Sequence, residues 1–236
     1  MAKPKRLKAS DIIERYGKPC TLLIPDLEAD EGDPHGSWLG HVAVAAPGET
    51  WPEFDGQPLA PIAQLRLDQM PFVPEELCDF QVITVFVQFE EGHVGEAFCK
   101  EQPGSWVLRS YASAADLVEI ERPEVDFGFG GAPLTYQLLE RDTPDWEDVS
   151  DEIELDQWPK KGLDREYRAR VGGWPNIVQS EIYWAPHNKH PANPKYAFQI
   201  DSDPDLNLWI GDAGSMYFGR GTGEHRDQWA MEWQCH

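Results

Sequence analysis

Short apolar runs separated by Gly and Pro, rather than long runs at helical spacing, pattern this chain. The clearest is Phe80-Gln-Val-Ile-Thr-Val-Phe-Val-Gln-Phe89, rich in β-branched and aromatic residues, which predicts a strand. Further strands are predicted at residues 20–27, 38–45, 58–67, 105–111, 117–120, 135–139, 182–184, 196–200, 206–210 and 215–218. Residues 29–37 and 47–58 read as loops. One short helix is predicted, N-capped by Ser10 and ending at Gly17, with Ile12, Ile13 and Tyr16 on the face that docks on the body. The 20 Gly and 20 Pro exceed the usual share, as many short strands and turns require. The expected class is α+β, mainly antiparallel β-sheet with few short helices.

The pattern also echoes itself. Trp51-Pro52 is followed by Ile62-Ala-Gln64-Leu65 and the strand at 80–89; Trp174-Pro175 is followed by Ala197-Phe-Gln199-Ile200 and the strand at 214–218. One duplicated supersecondary unit would explain this, with halves at about 19–125 and 126–236 behind a basic N-terminal helix segment at 1–18. The unequal spacers leave chance as the alternative. Gln64 and Gln199 are expected to bond backbone groups near the pseudo-symmetry axis.

Composition narrows the function. The chain has 236 residues, 41% of them hydrophobic and 10 of them Trp, so it is globular rather than a disordered acidic chain. No apolar run approaches the roughly 20 residues of a membrane span. No apolar stretch of signal-peptide type follows the basic start, so the expected address is the cytoplasm. Formal charge is −22, distributed as +4 over residues 1–18 and −26 over the rest. Direct nucleic-acid binding and anionic membranes are therefore disfavoured, and a basic protein partner is favoured, plain solubility being the simpler reading of the same charge. Cys20, Cys78, Cys99 and Cys235 form no C-x-x-C pair and read as reduced thiols, with Cys78 and Cys99 expected in the core and Cys235 exposed.

Candidate chemistry is thin. Residues 201–207, with Asp201, Asp203, Asp205 and Asn207, and Asp212 at the twelfth position, approximate a calcium-loop register. Pro204, and Leu206 where a Gly is wanted, favour an Asx-turn hairpin instead. His187-Asn-Lys-His190 lacks supporting ligands for zinc. Gly219-Arg-Gly-Thr-Gly223, with His225 nearby, lacks the Lys-Ser/Thr ending of a P-loop, and Phe127-Gly-Phe-Gly-Gly131 reads as a connection. No serine has a G-x-S-x-G setting, and carboxylate pairs are uninformative in so acidic a chain. No catalytic residue, metal or cofactor is assigned, and the chain reads as a non-enzyme. A small-ligand- or metal-binding regulatory domain, using residues 201–212 or 219–225, is the alternative to protein binding.

The most acidic stretch, 140–157, holds nine acids with Arg141 as its one base. Within it Trp146 and the following Trp158 stand among Asp145, Glu147, Asp148, Asp151, Glu152, Glu154 and Asp156. Carboxylates that attract a basic partner beside tryptophans that anchor it predict a protein-contact surface. A solvated acidic loop whose tryptophans fold back on the core is the other reading.

Arg170-Val-Gly-Gly-Trp-Pro-Asn-Ile-Val-Gln179, Phe198-Gln-Ile-Asp-Ser-Asp203 and Leu208-Trp-Ile-Gly-Asp-Ala-Gly-Ser-Met-Tyr-Phe218 resemble motifs of the YwqG-like family of bacterial proteins. Trp51-Pro52, Pro58-Leu-Ala-Pro-Ile-Ala-Gln-Leu65 and residues 229–233 extend the resemblance over roughly 51–233. The resemblance implies an α+β fold with a repeated layout and supplies no reaction. It implies neighbours among toxin genes and, for some members, an immunity role. Combined with the charge, the expected function is an immunity protein. It would act as a stoichiometric inhibitor that occludes a basic bacterial toxin, a nuclease (DNase) effector of a contact-dependent secretion system.

Overall fold

The computed structural model describes residues 6–29, 32–90, 93–163, 168–182, 184 and 189–236. The chain opens with helix α1 (Ala9–Tyr16), then β1 (Lys18–Pro25), β2 (Trp38–Leu39), β3 (Val44–Ala45), β4 (Glu53–Phe54), β5 (Gln57–Pro58), β6 (Ala60–Arg66) and β7 (Val82–Val87). There follow β8 (Phe89–Glu90), β9 (His93–Val94), α2 (Glu96–Cys99), β10 (Trp106–Tyr111), β11 (Val118–Glu119) and β12 (Ala132–Asp142). The last strands are β13 (Arg170–Gly172), β14 (Lys195–Asp201), β15 (Ser215–Arg220) and β16 (Trp229–Gln234). This is an α+β protein dominated by antiparallel sheet.

Ten strands form one sheet in the order β10-β7-β6-β2-β12-β1-β13-β14-β15-β16. The order is palindromic about the β12–β1 pair, and the register repeats with it. Trp38 and Leu39 pair with Gln64 and Ala63, as Arg170 and Val171 pair with Gln199 and Phe198. Gln64 then faces Thr84 and Arg109, as Gln199 faces Tyr217 and Glu232. The bulge between Pro61 and Ala63 has its counterpart between Tyr196 and Phe198. Each half places its first strand beside the other half, so β1 pairs with β13 and β12 with β2.

The sheet folds over so that both halves share one core. Leu65, Ile83 and Val85 lie in the same buried cluster as Phe198, Phe218 and Met231. Trp106 and Phe218, from opposite ends of the strand order, meet edge-on at 6.2 Å. Alternation sends every second residue of these strands into that core and its neighbour to the outer face. In β6 and β7 the outer face is also covered, which is why both strands are buried along nearly their whole length.

The two glutamines occupy equivalent places. Gln64 Oε1 accepts from the Ala43 and Val44 amides at 2.9 and 3.1 Å, and its Nε2 donates to the Pro34 and Gly36 carbonyls. Gln199 Oε1 accepts from the Asn176 amide at 2.7 Å. Val44 and Asn176 each follow by four residues a glycine with positive φ, Gly40 (71°) and Gly172 (77°). Each glutamine thus ties down the chain leaving an equivalent turn, on the second strand outward from the central pair rather than at the axis. The Trp-Pro echo does not survive this register: Trp174 stands two residues past its glycine and Trp51 eleven.

Several expected elements move. The 38–45 strand is broken at Gly40 into β2 and β3, because a left-handed residue interrupts extended backbone. Ile182 and Trp184 are irregular, and residues 206–210 form turns and bridges instead of a strand. β12 spans eleven residues where 135–139 was expected. Helix α1 is capped at Lys8, not Ser10: the Asp11 carboxylate accepts from the Lys8 amide at 3.1 Å. Cys78 and Cys99 are exposed, against the expectation of a core position, and Cys235 is half-buried. Cys20 is the buried thiol, and burial pushes it up to about 12, so it stays protonated and inert.

Candidate functional site

Among the described residues, the second half carries a fully buried ion pair at a place where the first half has none. Arg170 and Asp142, at 0% and 1% side-chain exposure, pair at 2.8 Å beneath the outer face. Arg170 Nε also donates to the Arg168 carbonyl at 3.1 Å. Burial is the largest single effect and opposes the guanidinium charge, but the charge and hydrogen bond of Asp142, with smaller contributions from Tyr196 and Cys20, together hold Arg170 above its ordinary value. The second Asp142 oxygen accepts the Trp174 amide at 2.7 Å. Gly172 and Gly173, at φ 77° and 71°, wrap the chain around this carboxylate. A Cβ on Gly173 would lie 2.5 Å from Asp142 Oδ2, and one on Gly172 would lie 2.7 Å from the Phe72 ring. Glycine is required at both positions by space as well as by backbone angle.

This turn forms the floor of a cleft of about 640 Å³. Phe72, Trp174, Trp184 and Tyr196 supply aromatic walls, with Ile177 and Ile182 between them. The Trp174 indole is fixed by its Nε1 bond to the Tyr16 carbonyl at 2.8 Å, which ties α1 to the cleft. Trp184 turns its six-membered ring onto Gly219, where a Cβ would sit 2.7 Å away. Its Nε1 is buried and meets no acceptor among the described residues. Around the mouth stand six carboxylates, Glu75, Glu76, Glu147, Asp148, Asp151 and Glu181, against two lysines, Lys18 and Lys195. Lys195 is engaged by Glu76 at 3.6 Å. Lys18 lies over the Trp174 ring, its Nζ 3.1 Å from the centroid. Lys18 is exposed as a residue, but enclosure of its ammonium in the cleft lowers its pKa, and the nearby Asp148, Glu76 and Asp142 charges offset part of that effect.

The acidic segment is split by the fold. Glu147, Asp148 and Asp151 reach the cleft mouth. Glu152 instead receives Arg15 at 2.7 Å and the Tyr16 hydroxyl at 2.9 Å, closing on α1. Trp146 donates to the Ile153 carbonyl, and Trp158 packs beside Ile12, Val149 and Ile153. Both tryptophans therefore fold back on the body and are not free anchors. The Asp145 amide is capped by Asp148 Oδ2 at 2.8 Å, and Glu154 is exposed away from the cleft lining. Lys18, Phe72, Glu75, Glu76, Trp184, Lys195 and Tyr196 were not foreseen as site residues. The acidic stretch signalled one side of the mouth through Glu147, Asp148 and Asp151, and the Gly-Gly-Trp-Pro string marked the floor without being read as a site.

The other candidates are used locally. Asp203 Oδ1 accepts the Leu206 amide, an Asx-type turn, and the Asn207 side chain donates to the Gly128 carbonyl. Arg220 makes a bidentate pair with Asp79, at 2.5 and 2.9 Å, rather than facing a phosphate. His190 Nδ1 accepts the Ala192 amide, while His187 lies outside the described residues. A second cleft of about 660 Å³, lined by Gln88, Glu90, Glu96, Asp126 and Asn207 among others, has no tryptophan among its described lining residues.

Beside the cleft, Asp201 accepts from Gln199 Nε2 at 2.7 Å. It retains some surface, but its carboxyl is enclosed enough for burial to raise its pKa. A raised carboxylate pKa penalises the fold in full above the folded value; the penalty shrinks as pH falls through that value and disappears below the unfolded pKa. Asp201→Asn, which keeps the acceptor and removes the charge, is therefore expected to melt above the parent at pH 7. That advantage should shrink toward pH 4, as read by thermal denaturation across pH.

The arrangement defines an antiparallel sheet protein of two register-equivalent halves, one of which bears an acidic, aromatic-walled cleft. The family described as a domain of unknown function (DUF1963) matches residues 37–219, and the chain belongs to that family. None of the curated proteins matches the chain. Among the described residues no helix is long and apolar enough to cross a membrane.

Proposed function

We propose that this chain is an immunity protein: a stoichiometric inhibitor that binds a basic bacterial toxin and occludes its active site without turnover. The observation that carries the reading is the cleft, where six carboxylates ring an aromatic interior in a chain of charge −22. A nuclease that holds phosphates presents cationic side chains at its active site, and an acidic concave face is complementary to them. Opposite fields speed encounter, and indole walls slow dissociation. The resemblance to YwqG-like proteins supports a place beside toxin genes, with a DNase effector of a contact-dependent secretion system as the partner and the cytoplasm as the site of action. Co-expression with the toxin of the neighbouring gene tests it. Growth is expected to be restored and the two proteins to co-purify at one to one; unrelieved killing with no co-purification would overturn it.

The cleft's volume, within the range of small-molecule sites, favours one second reading: a regulatory domain that binds a small ligand there. A metabolite that raises the melting temperature, with no toxin rescued, would select it. The metal form of that reading, at residues 201–212, predicts a melting temperature that falls on chelation.

A further inference from the structure

We infer that the cleft is a receptor for a single arginine side chain of a polypeptide, and that Lys18 occupies the receptor until that side chain displaces it. The inference rests on the reading of this cleft as a contact face and names the chemical group it takes.

Lys18 has the position of a stand-in ligand. Its ammonium lies face-on to Trp174 and makes no ion pair among the described residues, although Asp148, Glu76 and Asp142 are near enough to act on its charge. A lysine in a field of carboxylates that settles on an indole marks where a cation is best held. Lys18 is the first residue of β1, just after α1, and is exposed, so its flexible stem can leave the cleft without disturbing the strand. Trp174 cannot leave so easily, because its amide is held by Asp142 and its Nε1 by the Tyr16 carbonyl. The wall is held by two hydrogen bonds, whereas the Lys18 ammonium rests on the ring without an ion pair among the described residues.

Guanidinium fits this place better than ammonium. It is planar, stacks on an indole, is weakly hydrated, and offers five donors in a fork that matches carboxylates. Glu147 and Asp151 stand exposed at the mouth to receive those donors. Trp184 gives an independent sign. Its Nε1 is buried without an acceptor in a residue at 3% exposure that lines the cleft. A peptide carbonyl arriving with the side chain is an acceptor of the kind that this donor lacks, and takes it when the indole turns its enclosed Nε1 toward the cleft. The ligand is therefore an arginine within a chain, rather than a free polyamine.

The probe is N-acetyl-arginine N-methylamide, titrated into the full-length protein with tryptophan fluorescence and calorimetry as readouts. The citrulline analogue, neutral and nearly isosteric, and the lysine analogue are titrated in parallel. Saturable one-to-one binding of the arginine probe is expected, weaker binding of lysine, and none of citrulline. Lys18→Met should tighten the arginine probe by about tenfold, since it removes the competing cation and keeps the stem. Glu147→Gln with Asp151→Asn, at exposed positions, should weaken it and serves as the check if Lys18→Met fails to fold. Citrulline binding as well as arginine, no saturation by either protein, or Lys18→Met binding no tighter would each overturn the inference. Failure here with toxin protection intact removes only the arginine receptor; probe binding with no protection removes only the inhibitor.

Discussion

Asp142→Ala is expected to cost about 3–5 kcal/mol of stability, the cost of leaving a buried guanidinium without its counter-charge. Two effects add. Arg170, with no side-chain exposure, loses its only carboxylate partner shown, and the Trp174 amide loses its acceptor. Domain stabilities lie at about 5–15 kcal/mol, so much of the folded population margin would go. Urea denaturation of the parent, Asp142→Ala, Asp142→Asn and the Asp142→Leu/Arg170→Met double variant separates the contributions. Asn keeps an acceptor for Trp174 and should lose less than Ala. The double variant should recover a large part of the loss, because well-packed apolar residues often replace a buried pair at little cost. A loss below about 1 kcal/mol for Asp142→Ala would mean that the pair is solvated and does not anchor the turn.

Charge reversal at the mouth of the cleft is expected to abolish toxin protection while leaving the fold intact. Glu147→Lys with Asp151→Lys turns two attractive groups into repulsive ones against a cationic partner, and like-charge juxtaposition costs several kcal/mol. A fall in affinity of about a hundredfold or more follows. Both side chains are exposed, so melting temperature should barely move. Asp148 is left alone because it caps the Asp145 amide. Glu154→Lys with Asp156→Lys makes the same change in net charge outside the cleft lining and should preserve protection. Growth rescue by each variant, beside its melting curve, decides. If both pairs behave alike, the contact depends on net charge and not on this cleft.

What the sequence disclosed follows the range of the forces involved. β7 was legible because its Val, Ile, Thr and Phe declare extended backbone locally, and β10, β14 and β15 follow the same logic. β16 was matched as a motif but not read as a strand: Trp-Ala-Met-Glu-Trp-Gln puts Glu232 and Gln234 where apolar residues are expected. Both are buried, Gln234 donating to Glu232 at 2.7 Å and holding the 178–180 backbone. Residues 206–210 are apolar enough for a strand, yet the turn anchored by Asp203 and Asn207 directs Leu206, Leu208 and Ile210 into the core one by one. The Gln64–Gln199 equivalence was visible as an echo, and its meaning lay in register.

The site was harder to see for a physical reason. Asp142 and Arg170 stand 28 residues apart and meet only because β1 brings β12 and β13 to either side of itself. Lys18, Phe72 and Trp184 converge on the cleft from three separate segments, and no local spacing encodes that. The acidic stretch was conspicuous in composition, but composition cannot say which acids face a cleft and which close on a helix. Glu152 resembles Asp151 in sequence, and the helix at the N-terminus captures one of them through Arg15 and Tyr16.

Calorimetric titration of the neighbouring gene's toxin into the full-length protein, in dilute buffer and again near 0.3 M salt, tests the central claim most directly. The cleft account predicts saturation at one to one with an affinity that weakens steeply as salt screens the opposed charges. Absence of saturable heat in dilute buffer, or an affinity indifferent to salt, would contradict it.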